Sequence, residues 1–600
     1  MAKTLVEKIL GSHAGKDVSP GDIVDVEIDV RVARDFGGAN VVKNIRDHGL
    51  ALADPDKTFF TFDCNPTGSD QKYAANQHAC RLFARRRGMK VFDIDRGIGT
   101  HLAIDNGLVG PGGTFVSTDS HANILGAIGA FGQGMGDVDI AQAFAGGRVW
   151  FRVPQSVRVV FKGTPSAAAT AKDMALAVLR TVGANGLLGC AAEMTGPAVE
   201  TLGLAGRITL ASMATEMGGI IALLAPSEEI ISYCRDAGAE FTPQYADEDA
   251  SYAETIEIDV EGLGPLAARP GHPEDVTTVA ELSGTPVDSV FIGSCTNGRL
   301  EDLAAAAEVL KGKKVAPGVV LKVVPATDAI WRRCMSEGLF DVFKSAGALI
   351  SNAGCAGCAA GQVGQNGPEE VTVSTGNRNF AGKQGKGSVY LASPATAAAS
   401  AVAGSIVEAG AIPDEALDRT RSEAPAPETR TEPQPDRTEK PKTITGRVWV
   451  IRKDNIDTDM IYHNRYLTIT DVAEMGQYTF DNLPGWEDFA SKAAAGDIVV
   501  TGKNFGCGSS RQQAVDCFKS LGVALIIAES FGAIYERNAI NNALAIMTSD
   551  LALGDIADGE AVEVDLATGK ITRESGKTAD GRAFSETQMD IYMRGGLLEV

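Results

Sequence analysis

Residues 352–361 read NAGCAGCAAG and set Cys355 and Cys358 three apart in a loop of glycine and alanine, with no histidine beside them. A third thiol in a comparable loop is Cys295, in VFIGSCTNGRLEDL, where a β-branched run ends in a polar turn and a helical pattern begins. Three thiolates suit zinc or an iron–sulfur cluster. A structural zinc site normally takes a fourth protein ligand, whereas a [4Fe–4S] cube held by three cysteines leaves one iron open to water or substrate. An isolated CxxC would as readily be a pair of buried small hydrophobes or a redox or zinc motif.

Four other stretches carry groups of chemical interest. STDSH places Asp119, Ser120 and His121 on a turn after an apolar run, where the aspartate is expected to orient the imidazole. GIGTHLAID carries His101. GNRNFAGK offers Arg378 and Lys383. NFGCGSSRQQA puts Ser509, Ser510 and Arg511 in a glycine-rich turn before a helix, where free backbone N–H groups, the helix dipole and an arginine favour an anion.

In this order the motifs resemble those of the aconitase and 3-isopropylmalate dehydratase superfamily of iron–sulfur hydro-lyases, and the likeness runs through nearly the whole chain. The resemblance implies a [4Fe–4S] cluster on Cys295, Cys355 and Cys358, with Ser509 as the base, acting as an alkoxide. It also implies active-site roles for Asp63, His101, Asp119, His121 and Glu216. Substrate carboxylates would meet Arg378, Lys383, Ser510, Arg511 and Ser120. Dehydrating a hydroxy acid demands such parts: hydroxide leaves poorly and the proton beside a carboxylate is weakly acidic, so a Lewis acid and a placed base are both needed.

The sequence departs from the family pattern around the substrate. The usual Asp-His loop reads FDCNPTG, so Cys64 replaces a histidine that helps protonate the departing hydroxyl. Ser212 replaces an asparagine, Gln512 a glutamate, and Arg34 in RVARDF, a candidate substrate contact, stands where such a contact tends to be uncharged. The loop 457–471, DTDMIYHNRYLTITD, is more like the isopropylmalate and homoaconitate small-subunit loop than that of citrate aconitase, with Arg465 as a candidate contact. The expected activity is dehydration and rehydration of a 2- or 3-hydroxy di- or tricarboxylic acid through an alkene. The alternative is a non-catalytic iron or redox sensor of the same fold.

The elements that must position these residues are α/β in pattern. VRVVFKG, VDSVFIGS and VVLKVVPAT alternate with alanine-rich helical stretches, and the motif loops fall just past strand ends, where open parallel sheets place ligands. The fold expected is a three-domain α/β body, 1–155, 156–285 and 286–415, then a linker at 416–443 rich in Pro, Glu and Thr, then a swivelling β/α domain at 444–600. In a chain of 600 residues ten cysteines are too sparse for a secreted disulfide scaffold, and the start lacks a secretory signal, so a cytoplasmic setting is expected. No apolar run would span a membrane, a net charge of −22 disfavours nucleic acid, and the fused last domain suits a monomer whose partner is a small acid.

Overall fold

Buried on both faces, the strand Val30–Arg34 shows why the first sheet is parallel: each of its residues is buried, as are those of Thr58–Thr61 and Thr114–Ser117, and such strands need cover above and below. The computed structural model describes residues 2–66, 70–358, 363–420, 440–508 and 511–598, and of Cys358 only the backbone. Cys358's side chain, Ser509, Ser510 and most of the linker therefore lie outside the described residues. Two compact units divide the chain, Met1–Pro427 and Glu428–Val600.

In the first unit a five-stranded sheet runs in the order Lys90–Phe92, Thr58–Thr61, Val30–Arg34, Thr114–Ser117, Phe131–Gly134, all neighbours parallel. Alternate residues serve different cores. Val30, Val32, Phe59 and Phe115 join one cluster, while Ala33, Phe60 and Val116 join another with helices Leu5–Ala14 and Gly38–Asp47, as the two-residue strand period requires. A four-stranded parallel sheet follows, built on Ser156–Lys162 and Ala191–Thr195. A seven-stranded sheet has five parallel strands, with Ser289–Ile292 between Val371–Ser374 and Val320–Val323. The antiparallel strands Leu266–Ala268 and Val276–Thr278 extend one edge of it, so residues placed by sequence before the 285 boundary pair with the sheet beyond it. All three sheets feed one continuous apolar cluster.

The strand orders matter for the site. In the five-stranded sheet the chain moves outward from Val30–Arg34 in one direction, then returns to add Thr114–Ser117 on its other side. In the seven-stranded sheet it does the same about Ser289–Ile292 and Val371–Ser374. At such reversals the loops after adjacent strands diverge and leave a crevice.

In the second unit Thr443–Ile451 is shared. Its later part pairs parallel with Ile498–Thr501, which continues to Leu525–Ala528 and Ala545–Thr548, and its earlier part pairs antiparallel with Ala561–Asp565. Cores form on both faces. Among the described residues no helix is long and apolar enough to cross a membrane.

One polar link ties the first helix to the first sheet. His13 gives Nδ1 to the carbonyl of Ile9 (2.8 Å) and Nε2 to Asp29 (2.9 Å), and Asp29 also accepts from Thr114 N (2.9 Å). Burial works against the imidazolium, but Asp29 and the Ile9 carbonyl outweigh it and raise the pKa. For Asp29, burial is likewise outweighed, by His13 and Thr114, and its pKa is lowered. A raised histidine stabilises the fold fully below the unfolded value, about 6.5, and loses its contribution as pH rises through the higher folded value. The aspartate's contribution is full above about 4 and lost only in acid. His13→Asn should therefore lower the melting temperature most at pH 5–6 and least at pH 9, with a loss of about 1–2 kcal/mol at the acidic end. Thermal unfolding of both proteins across that range checks it.

Candidate active site

The first crevice is filled by charge. Arg34, the last residue of its strand, reaches Asp63 with Nε (2.7 Å) and Asp119 with Nη1 (3.0 Å), and its amide bonds Thr118 Oγ1 at 2.9 Å. All three charged residues are buried. Asp63 also accepts from Gly99 N (2.9 Å), at the start of the helix bearing His101. Burial pushes the Asp63 carboxyl up to about 6 although Arg34 pulls it down, whereas at Asp119 the pull of Arg34 and His121 exceeds the effect of burial and lowers it. Burial also opposes Arg34's charge, but Asp119 and Asp63 more than restore it.

Cys64 stands beside this group, Sγ 3.6 Å from Asp63 Oδ1. Burial raises its thiol well above the usual range, with Asp35 and Asp63 adding to the effect and Arg34 opposing it. It is a neutral thiol near pH 7, a weaker acid than an imidazolium. Asp35 holds the loop from behind by accepting from Cys64 N (3.0 Å), Asn65 N (3.1 Å) and Gln77 Nε2 (3.0 Å).

The second crevice holds the cysteine turns. Gly293 and Ser294 both take positive φ (153° and 78°) to swing the chain from its strand into the short helix Ser294–Asn297, which carries Cys295. Asn377, across the crevice, gives Nδ2 to Cys295 Sγ at 3.5 Å. The turn Ala356–Cys358 packs against that helix. His101 meets the carbonyl of Cys295 with Nε2 (2.9 Å), and burial with Arg299 nearby lowers its pKa to about 4, so it is neutral. Thr296 is held by Ser212, Oγ to Oγ1 3.1 Å.

The two crevices are stitched together. Cys355 N donates to the carbonyl of Asp63 (2.9 Å) and Ile98 N to that of Ala326 (2.9 Å). Gly97 has φ 103° where its segment meets Thr327, and a Cβ there would collide with the Ala326 carbonyl.

His121 shows a correction. Asp119 accepts the backbone N–H of His121 (3.0 Å), not its ring; the ring Nε2 meets Glu216 at 3.1 Å and Ser120 Oγ lies 3.3 Å from Nδ1. The aspartate is engaged by Arg34, so the imidazole takes the carboxylate of the 213–217 turn instead. Glu216 also accepts from Arg378 Nε (2.8 Å). A continuous chain results: Asp63, Arg34, Asp119, His121, Glu216, Arg378. Lys383 is half-buried in the turn closed by its own N–H on Phe380.

In the second unit Arg511 binds Asp459 through Nη2 (2.8 Å) and the carbonyl of Tyr462 through Nη1 (3.3 Å), which fixes it to the 457–471 loop. Gly506, at φ 72°, lies where a Cβ would strike the ring of Tyr535. Arg465, more than half exposed, pairs with Asp481 (2.5 Å) and lies over the ring of Tyr466.

The donor set fits a cluster. Cys295 and Cys355 are buried cysteines on adjoining turns, and an amide N–H aimed at one sulfur is what a ligating thiolate takes as its outer partner.

The model of the aconitase family (aconitate hydratase) matches residues 7–404, and that of the aconitase C-terminal domain matches 437–550. The chain belongs to the aconitase family of hydro-lyases. The homoaconitase large subunit of Thermus thermophilus is 42% identical over 409 residues, 67% of this chain and 96% of that one. The 3-isopropylmalate dehydratase large subunit of Sulfurihydrogenibium sp. is 40% identical over 422 residues, 69% and 97%. Among solved structures, a 3-isopropylmalate dehydratase from Methanocaldococcus jannaschii is 36% identical, covering 26% of this chain and 92% of its own, with a TM-score of 0.25. Both family models thus fall within one polypeptide, whereas the Thermus and Sulfurihydrogenibium relatives are named as large subunits.

Three residues on which the sequence reading placed no role help to build the site: Asn377, Asp35 and Gln77. Asn377 sits next to Arg378 in the same motif, and the readable signal was an amide directly beside the crevice. Asp35 adjoins Arg34, but Gln77 lies within a helix and carries no local mark. Glu216 is the joint between His121 and Arg378, both bonded through Oε1. Glu216→Ala should destabilise the protein by about 3 kcal/mol, as breaking a buried pair does, and Glu216→Gln by clearly less. Chemical denaturation of the three proteins measures the difference.

Proposed function

We propose that the protein interconverts 2- and 3-hydroxy di- or tricarboxylic acids by removing and re-adding water through an alkene. The observation that carries this reading is the meeting of the cysteine turns with the Asp63–Arg34–Asp119–His121–Glu216–Arg378 chain. Cys295, Cys355 and Cys358 would hold a [4Fe–4S] cluster, which when bound supplies an open Lewis-acidic iron for the substrate's hydroxyl and one carboxylate. The relatives' printed names, homoaconitase and 3-isopropylmalate dehydratase, favour a substrate with two or three carboxylates.

Ser509 is the base in this reading. It takes the proton from the carbon beside a carboxylate, and stands two residues before Arg511, which Asp459 fixes. Arg378, with Nε committed to Glu216, offers its outer edge to a substrate carboxylate in the paired geometry that guanidinium favours. By the family resemblance Lys383, Ser120, Ser510 and Arg465 are assigned to substrate binding; Arg465 would have to release Asp481 to take part. The hydroxyl leaves as water on the His121 side, because Cys64 is a neutral thiol and His101 is neutral with its Nε2 on the Cys295 carbonyl. The second unit is the swivelling domain in this reading, and its 457–471 loop selects the substrate's side group. The protein works as a monomer in the cytoplasm.

Anaerobic purification with iron and sulfide analysis, followed by alkene absorbance with a panel of hydroxy diacids, tests the proposal. Turnover of at least one acid is expected. Ser509→Ala should keep the iron and lose about 10²–10⁴-fold in kcat. Iron-free protein after reconstitution would end the reading, and iron without turnover would favour a sensor of the same fold.

A further inference from the structure

Asp63 Oδ1 is a crowded oxygen. Arg34 Nε occupies it at 2.7 Å and Cys64 Sγ stands at 3.6 Å from the same atom. The remaining carboxylate oxygen is filled by Gly99 N, and Arg34's other engaged nitrogen is spent on Asp119. Arg34 Nη2 is buried and has no hydrogen-bond partner. The guanidinium is thus the cation for two buried carboxylates on two loops, supplied from the neighbouring strand and not from the loop of Asp63 itself.

We propose that Arg34 is a positioning residue coupled to residue 64: it provides the positive charge that holds Asp63 and Asp119, and position 64 is a small neutral thiol because that charge is already present. Asp63 Oδ1 already accepts from Arg34 Nε and faces the Cys64 thiol, so a basic nitrogen at position 64 would bring a second positive charge, with a larger side chain, to a space that excludes water. Without Arg34, an imidazole at 64 would become the natural partner of Asp63. The substrate-binding role expected of Arg34 gives way here to an internal one, since two of its arms are committed to the protein.

The test is a double-mutant cycle on the full chain: wild type, Arg34→Gln, Cys64→His and the double variant. The structural arm reads melting temperature and iron per chain after anaerobic reconstitution, and stands whether or not a substrate is found. Each single substitution should lower both, and the double variant should regain most of the loss. The kinetic arm rests on the hydro-lyase reading. Arg34→Gln should lose about 100-fold in kcat with KM changed less than about threefold, and Cys64→His in that background should restore at least about tenfold.

Additive losses in the cycle would overturn the coupling. A raised KM with unchanged kcat in Arg34→Gln would make Arg34 a plain substrate ligand and overturn its positioning role. Should Arg34→Gln fail to yield soluble protein, recovery of soluble protein in the double variant supports the coupling, and failure of both overturns it. Arg34→Lys, which keeps the charge and loses the fork, should fall between wild type and Arg34→Gln in melting temperature. A Lys variant no better than Gln would refute a role for the charge.

Discussion

A carboxylate buried at the end of a parallel strand must find a cation or lose its charge, and the site is organised around that demand. Arg34 answers it twice, at Asp63 and at Asp119. Because it ends the strand beside which the sheet order reverses, its side chain enters the crevice between diverging loops with no detour of the backbone. The loops on either side then inherit their positions from it. The turn carrying His121 is set by Asp119, and the helix carrying His101 begins on Asp63.

The second crevice repeats the topology with different chemistry. There the turns after the strands carry a cysteine and an amide directed at its sulfur, and charge enters through Arg378, which is matched by Glu216 from another sheet's connections. Matching of this kind lets a chain of net charge −22 keep a cation-lined centre. The site's arginines Arg34, Arg378, Arg465 and Arg511 are each held by a named carboxylate. Among the described residues the Asp63-to-Arg378 chain of ion pairs and hydrogen bonds links loops of three sheets.

Much of this was legible from local sequence. The α/β pattern and the placement of motifs past strand ends follow from residue types, while the grouping of Cys295, Cys355, Asp63, Asp119, His121, Glu216 and Arg378 came from the resemblance to the aconitase family, and the structure sets these residues on neighbouring turns. What escaped reading was pairing at long range. STDSH suggests an aspartate that orients its neighbouring ring, yet Arg34, 85 residues earlier, claims that aspartate and leaves the ring to Glu216. For Arg34 the sequence shows a charge without showing that Asp63 and Asp119 are buried beside it. Gln77 was invisible for the same reason: its partner, Asp35, lies on a different strand's loop. The edge strands Leu266–Ala268 and Val276–Thr278 crossed an expected boundary because sheet membership is decided by docking, not by position along the chain.

The amide of Cys355 fastened to the carbonyl of Asp63 has a bearing on biogenesis. During synthesis nearly three hundred residues separate the emergence of those two groups, and neither loop can set the other until both sheets are made and docked. The turn carrying Cys355 therefore reaches its shape late, after the ribosome has delivered most of the first unit.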